Sequence, residues 1–145
     1  MSPKVTKARF LLLVTFIASA FVSIVVAHEH SGVRAFAISS QLAQVGNDAV
    51  VVIGDSITEG AFLPAEICGK PVVNAGVGGA SAGNYVEKVL TAMPRFKASV
   101  IVVALGTNDA LAKNKNFRTD YENLLDVLTE YSPTIILAGI PTTSG

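Results

Sequence analysis

The sequence has 145 residues, half of them hydrophobic, with eleven Lys and Arg balancing eleven Asp and Glu. That length makes about one domain, the balanced charge argues against a nucleic-acid partner, and the apolar content excludes intrinsic disorder. Lys4, Lys7 and Arg9 are the only charges before residue 28. The 118 residues that follow therefore hold eight basic and eleven acidic groups, a net charge of −3.

The N-terminal residues differ from the rest. Phe10 to Ala27 is an 18-residue run without a charge, preceded by the three basic residues. A basic start and an apolar run form an export signal, and 18 residues reach the lower limit for a membrane span. Ala18-Ser19-Ala20 and Val25-Val26-Ala27 each offer small residues to a signal peptidase. If neither is cut, the basic residues hold the N-terminus inside and place the rest outside. Residues 1–27 are thus expected to be a signal peptide or a membrane anchor through residues 10–27. The domain would then be periplasmic, extracellular or anchored outside the cytoplasm. Cys68 is the only cysteine, so no internal disulfide forms, and a buried, inert thiol is expected.

Residues 28–48 read as a hinge and a leading helix. His28-Glu29-His30-Ser31-Gly32 is polar; an N-terminal metal chelate there is conceivable chemistry, but a solvated hinge is the plainer reading. Val33 to Val45 carries apolar residues at helical spacing and stops at Gly46-Asn47-Asp48. The domain proper is expected over residues 49–145. Ala49 to Ile53 is an unbroken apolar run, as in a strand buried on both faces. Pro71–Asn74 is a second strand, Ser81–Met93 a helix with Tyr85, Val86, Val89 and Leu90 on one side, and Ser99–Leu105 a third strand. Phe117–Tyr131 is a helix with Tyr121, Leu124, Leu125 and Leu128 in register, and Thr134–Ile140 a fourth strand. Strands alternating with helices predict a doubly wound, flavodoxin-like parallel sheet with helices on both faces, a three-layer α/β/α domain.

Ligands in such sheets bind outside the carboxyl ends of the strands. The loops there read Gly54-Asp55-Ser56-Ile57-Thr58-Glu59-Gly60, Ala75-Gly76-Val77-Gly78-Gly79-Ala80-Ser81 and Gly106-Thr107-Asn108-Asp109. On its own loop, Ser56 reads first as a helix N-cap and only second as a nucleophile. Gly76, Gly78 and Gly79 permit close backbone approach and unobstructed amides. They make no dinucleotide fingerprint, because the third glycine position is Ser81, and no Gly-Lys-Ser/Thr triplet exists for a phosphate loop. The Asn108 amide has two N–H donors suited to an oxyanion, although asparagine also shapes turns. Asp109 reads as a residue securing a turn or helix start. A serine, a glycine amide and an asparagine amide after three parallel strands together match a nucleophile with a multi-donor oxyanion hole.

On these three blocks the sequence resembles the GDSL/SGNH hydrolase family over about residues 48 to 141. Gly54-Asp55-Ser56 resembles the first block, Asn74-Ala75-Gly76-Val77-Gly78-Gly79 the second, and Gly106-Thr107-Asn108-Asp109 the third. The resemblance implies Ser56 as nucleophile, with its own amide, the Gly79 amide and the Asn108 side chain holding the oxyanion. It implies no metal and no organic cofactor. The family's last block, an Asp-x-x-His that supplies the base, has no counterpart, since His28 and His30 precede the first strand. The expectation is a C-terminally incomplete hydrolase, with the last strand and helix missing and the catalytic His and Asp beyond residue 145. This chain would then be inactive, or nearly so. The implied substrate is a small-molecule carboxylic, acetyl or thio ester. The alternative is a non-catalytic exported α/β binding module that retains the pocket.

Overall fold

A computed structural model describes residues 30–139. The expected signal or anchor, the start of the hinge and the end of the fourth expected strand lie outside these residues. Ser31–Gly145 forms one unit of the chain.

The leading helix α1 occupies residues 30–45, so His30, Ser31 and Gly32 are helical where a hinge was expected. Ala35, Ile38 and Leu42 recur every three to four residues and are buried. Ser31, also buried, falls on the same stripe and extends it by one turn. A 3-10 turn at Gly46–Asp48 leads into β1, Val50–Gly54. The chain then makes a single helical turn, α2, Ser56–Glu59, followed by β2, Glu66–Ile67, and β3, Lys70–Gly76. Helix α3 covers Ala82–Lys88 and a 3-10 turn covers Leu90–Ala92. Then come β4, Val100–Ala104, α4, Thr107–Leu111, α5, Phe117–Leu128, and β5, Ile135–Leu137. The sheet order is β2-β3-β1-β4-β5. All pairings are parallel except the two-residue β2 against the start of β3. With β2 set aside, the strands stand in the flavodoxin-like order expected from the sequence.

Strand β1 is the centre. Val50 aligns with Val72 on one side and Val100 on the other, and Gly54 aligns with Gly76 and Ala104. Right-handed crossovers from β3 to β4 and from β4 to β5 put α3 and α5 on one face, where they pack on each other. Val51, Ile53, Ile101 and Val103 are buried in one hydrophobic cluster with Tyr85, Leu124 and Leu128. The chain reverses at β1, the topological switch point, where a site is expected. β5 has one neighbour among the described residues, and Ile136 and Leu137 are half exposed.

The fifth strand, β2, is too short to be seen as a periodic run. It ends in a turn at Cys68 and Gly69, both with positive φ, and Cys68 is exposed. The expectation of a buried thiol is therefore wrong: a two-residue turn of this hand points its side chains outward.

Close approach fixes α2. A Cβ on Gly76 would stand 2.2 Å from the Glu59 nitrogen, and one on Gly54 would stand 1.9 Å from Thr58 Oγ1. Gly76→Ala is expected to cost about 1–3 kcal/mol by overpacking, read as a fall in Tm, with Gly139→Ala, at a site with open space, changing little.

Tyr85 is fully buried, and its hydroxyl donates to the Ala75 carbonyl at 2.6 Å. Burial raises the phenol above its ordinary value of 10.0, against a smaller opposite pull from Arg34. The unfolded chain therefore releases this proton first, so stability held below pH 10 falls as the pH rises above that value. Tyr85→Phe leaves the Ala75 carbonyl unpaired, at about 1–3 kcal/mol near neutrality, but removes this alkaline loss. Thermal melts at neutral and strongly alkaline pH are expected to show the variant losing less Tm between the two conditions; parallel losses would refute the assignment.

Candidate active site

Ser56 follows β1 after a single residue, Asp55, and is the first residue of α2. The cap is Asp55, whose Oδ1 accepts from the Ile57 amide at 2.9 Å. The capping role read for Ser56 thus belongs to its neighbour, and Ser56 stands exposed at a helix start, where backbone N–H groups have no helical acceptor. Asp55 is buried, and its Oδ2 has no hydrogen-bond partner among the described residues. It lines a crevice of about 180 Å³ with Ile57, Thr58, Ala104 and Thr107 at the switch point between β1 and β4.

Asn74 ties α2 to the sheet. Its Nδ2 donates to the Thr58 carbonyl at 2.7 Å, while its Oδ1 accepts from the Gly76 amide at 2.9 Å. Arg34, from α1, donates to the Gly76 carbonyl at 2.8 Å and lies 3.5 Å from Glu59. Glu59 in turn accepts from the Gly78 amide at 2.6 Å. Arg34 was not singled out in the sequence, and Glu59 was read only as a carboxylate of the first loop. Their separation in the chain hides the relation, and only the docking of α1 and α2 on the end of β3 reveals it.

The loop after β3 is held at almost every amide. Val77 donates to the Gly54 carbonyl and Ala80 to the Val77 carbonyl, each at 3.0 Å. The Ser81 amide donates to Asn84 at 2.8 Å, in the capping box of α3, and the Ala82 amide to Asp109 at 3.0 Å. Gly79 is the exception. Its N–H has no acceptor among the described residues, and the residue is exposed with φ +73°. Asn108, in the first turn of α4, donates through Nδ2 to the Ala80 carbonyl at 2.8 Å. That bond uses one of the two amide hydrogens and brings the side chain beside Gly79. Asp109 is buried and accepts also from Asn114 at 2.9 Å, so it secures a helix start as the sequence suggests. The expected site residues Ser56, Gly79 and Asn108 therefore follow β1, β3 and β4, at one edge of the sheet.

The only described histidine is His30, on α1. Asp55, Glu59 and Asp109 are the acids in and near these loops, and each already accepts a backbone N–H.

Residues 52–145 match the GDSL-like Lipase/Acylhydrolase family. Among curated proteins, none is detectably similar in sequence. A solved structure from Streptococcus pneumonia, assigned as a platelet activating factor, is similar with a TM-score of 0.61 and 21% identity, over 88% of this chain and 59% of that one. An acetyl-xylooligosaccharide esterase from Geobacillus Stearmophilus, in a mutant form, has a TM-score of 0.44 and 19% identity, over 64% and 60%. A protein assigned as a GDSL-like lipase from Parabacteroides merdae has a TM-score of 0.43 and 18% identity, over 63% and 59%. The chain thus spans about three fifths of the length of each. The match over residues 52–145 covers more than half of the sequence and contains all three loops at the switch-point edge: the chain belongs to the GDSL-like lipase/acylhydrolase family.

Proposed function

We propose that this protein is a serine hydrolase of carboxylic esters, in which Ser56 attacks the ester carbonyl. The amides of Ser56 and Gly79 and the second N–H of Asn108 hold the oxyanion that forms. The observation that carries this reading is the Gly79 amide. Within the run 76–82 every other N–H is satisfied, while this one is left open beside the Asn108 side chain. Donors held in place before the reaction cost no reorganisation when charge develops, which is the basis of oxyanion stabilisation. No metal and no organic cofactor is required by this chemistry. The Ser56 proton needs an acceptor that the described residues do not supply, and we assign it to a histidine backed by a carboxylate, contributed from outside residues 30–139. The substrate is a small-molecule ester, its acyl part placed against apolar residues near Ser56 such as Ile57.

The same proposal includes export. Lys4, Lys7 and Arg9 before the uncharged run 10–27 support a chain held in the membrane, or cleaved after crossing it, with the domain outside the cytoplasm.

The test uses the full-length gene product and a short-chain aryl ester. Ser56→Ala is expected to abolish hydrolysis and labelling by a fluorophosphonate without lowering Tm, because the side chain is exposed. Labelling and turnover that survive this change would exclude Ser56 as nucleophile. Failure of the wild-type protein to label or hydrolyse would favour a binding module.

Three further variants separate the roles. Asn108→Ala is expected to lower kcat by roughly 10²–10³ with little change in KM, as for loss of one oxyanion donor. Glu59→Ala frees the Gly78 amide and is expected to lower kcat about tenfold, since small misplacements of donors are costly. Glu59→Gln keeps an acceptor for that amide and is expected to restore most of the loss. Equal kcat values for the Ala and Gln variants would rule out positioning of this loop by Glu59.

A further inference from the structure

The end of β3 lacks a neighbour on one side. β2 is in register only with Lys70 and Pro71, so the last residues of β3 have β1 as their one strand partner. The Val77 amide turns toward β1, where it meets the Gly54 carbonyl. Main-chain groups alternate in direction along a strand, so the carbonyls of Asn74 and Gly76 face the side that no strand covers. Left there without donors, they would each carry the cost of an unmade hydrogen bond.

Arg34 closes that side. Its Nη2 donates to the Asn74 carbonyl at 3.3 Å and to the Gly76 carbonyl at 2.8 Å, and its Nε donates to Gly76 at 3.1 Å. A planar fork of donors spans two carbonyls in one rigid group, which the single ammonium of a lysine does not. The same guanidinium acts further along the chain through a carboxylate. It lies 3.5 Å from Glu59 Oε1, while Glu59 Oε2 accepts the Gly78 amide at 2.6 Å. Both side chains of this pair are only about a fifth exposed, so salt screens it less than a surface pair. Gly76 and Gly78 are thus tied to one head group, the first directly and the second through Glu59. The next amide in the chain is that of Gly79.

We propose that Arg34 is a positioning residue of the oxyanion hole. From α1, outside the region that matches the family, it fixes the backbone at Gly76 and Gly78 and so sets the direction of the Gly79 N–H, without touching the substrate. The docking of α1 on the end of β3 then decides whether the hole is formed. This rests on the reading of Gly79 as an oxyanion donor.

Amide exchange reads the clamp without turnover. In the full-length protein, isotope-labelled at glycine and followed by NMR, Arg34→Ala is expected to speed exchange of the Gly78 amide about tenfold or more. Guanidinium ion at a non-denaturing concentration is expected to refill the site and slow that amide again, while sodium chloride at equal ionic strength is not. Arg95→Ala removes an exposed guanidinium from the segment before β4 and is expected to change nothing. With a short-chain aryl ester, Arg34→Ala is expected to lower kcat about tenfold with KM little changed, and guanidinium to restore it over the same concentration range. Exchange at Gly78 that stays as in the wild type would overturn the proposal. So would protection lost throughout the domain with no recovery in guanidinium, the mark of a merely loosened fold. A fast Gly78 amide with wild-type kcat would exclude Arg34 from any part in the hole. A wild-type protein that neither labels nor turns over would sink the hydrolase reading instead, and the exchange data would still show whether Arg34 holds this loop.

Discussion

A single helical turn is not stable by itself, because it fixes several residues for almost no internal hydrogen bonding. The position of Ser56 therefore depends on what holds α2 from outside. The answer is close packing: Gly54 and Gly76 are paired across β1 and β3, the Thr58–Glu59 backbone lies directly on Gly76, and the Thr58 side chain lies on Gly54. No side chain fits at either glycine. Asn74 then grips the turn through the Thr58 carbonyl, and Asp55 caps its start. With α2 lowered onto the sheet, Glu59 comes within reach of the Gly78 amide, and the loop that presents Gly79 is drawn to the same place. One close approach thus sets Ser56 and the second loop together.

Much of this was legible in the residues, for a physical reason. The runs Ala49–Ile53 and Val100–Leu105 are apolar because their strands are covered on both faces, β1 almost completely and β4 completely on one face and partly on the other, and the polar and glycine residues after them mark one edge. The four expected strands are present, each differing by one to three residues at an end, where hydrogen bonding and apolar content part company. β2, α2 and α4 were missed because each holds only two to five residues, and tertiary contacts rather than periodicity form them. Tyr85 was placed correctly on the inner side of α3, yet its bond to the Ala75 carbonyl could not be read from spacing.

The side chains of the site reveal a division of labour that sequence cannot express. Asp55 and Ser56 are neighbours, as are Asn108 and Asp109, and in each pair the aspartate is buried and structural while its partner faces the open edge. Each aspartate satisfies a helix start: Asp55 its own, Asp109 that of α3 across the fold. Serine and asparagine are thereby relieved of capping duties they would otherwise serve. Their side-chain polar groups have no partner among the described residues, apart from the one amide hydrogen with which Asn108 anchors itself to Ala80.

The family match begins at residue 52, inside β1, yet Arg34 reaches from α1 to the end of β3 and to Glu59. The helix therefore does more than cover a face of the sheet. A piece cut to the boundaries of the shared family would keep every block by which the family is recognised. It would lose the guanidinium that neutralises Glu59 and pins the Gly76 carbonyl. The compact unit, Ser31–Gly145, is larger than the region by which its kinship is detected.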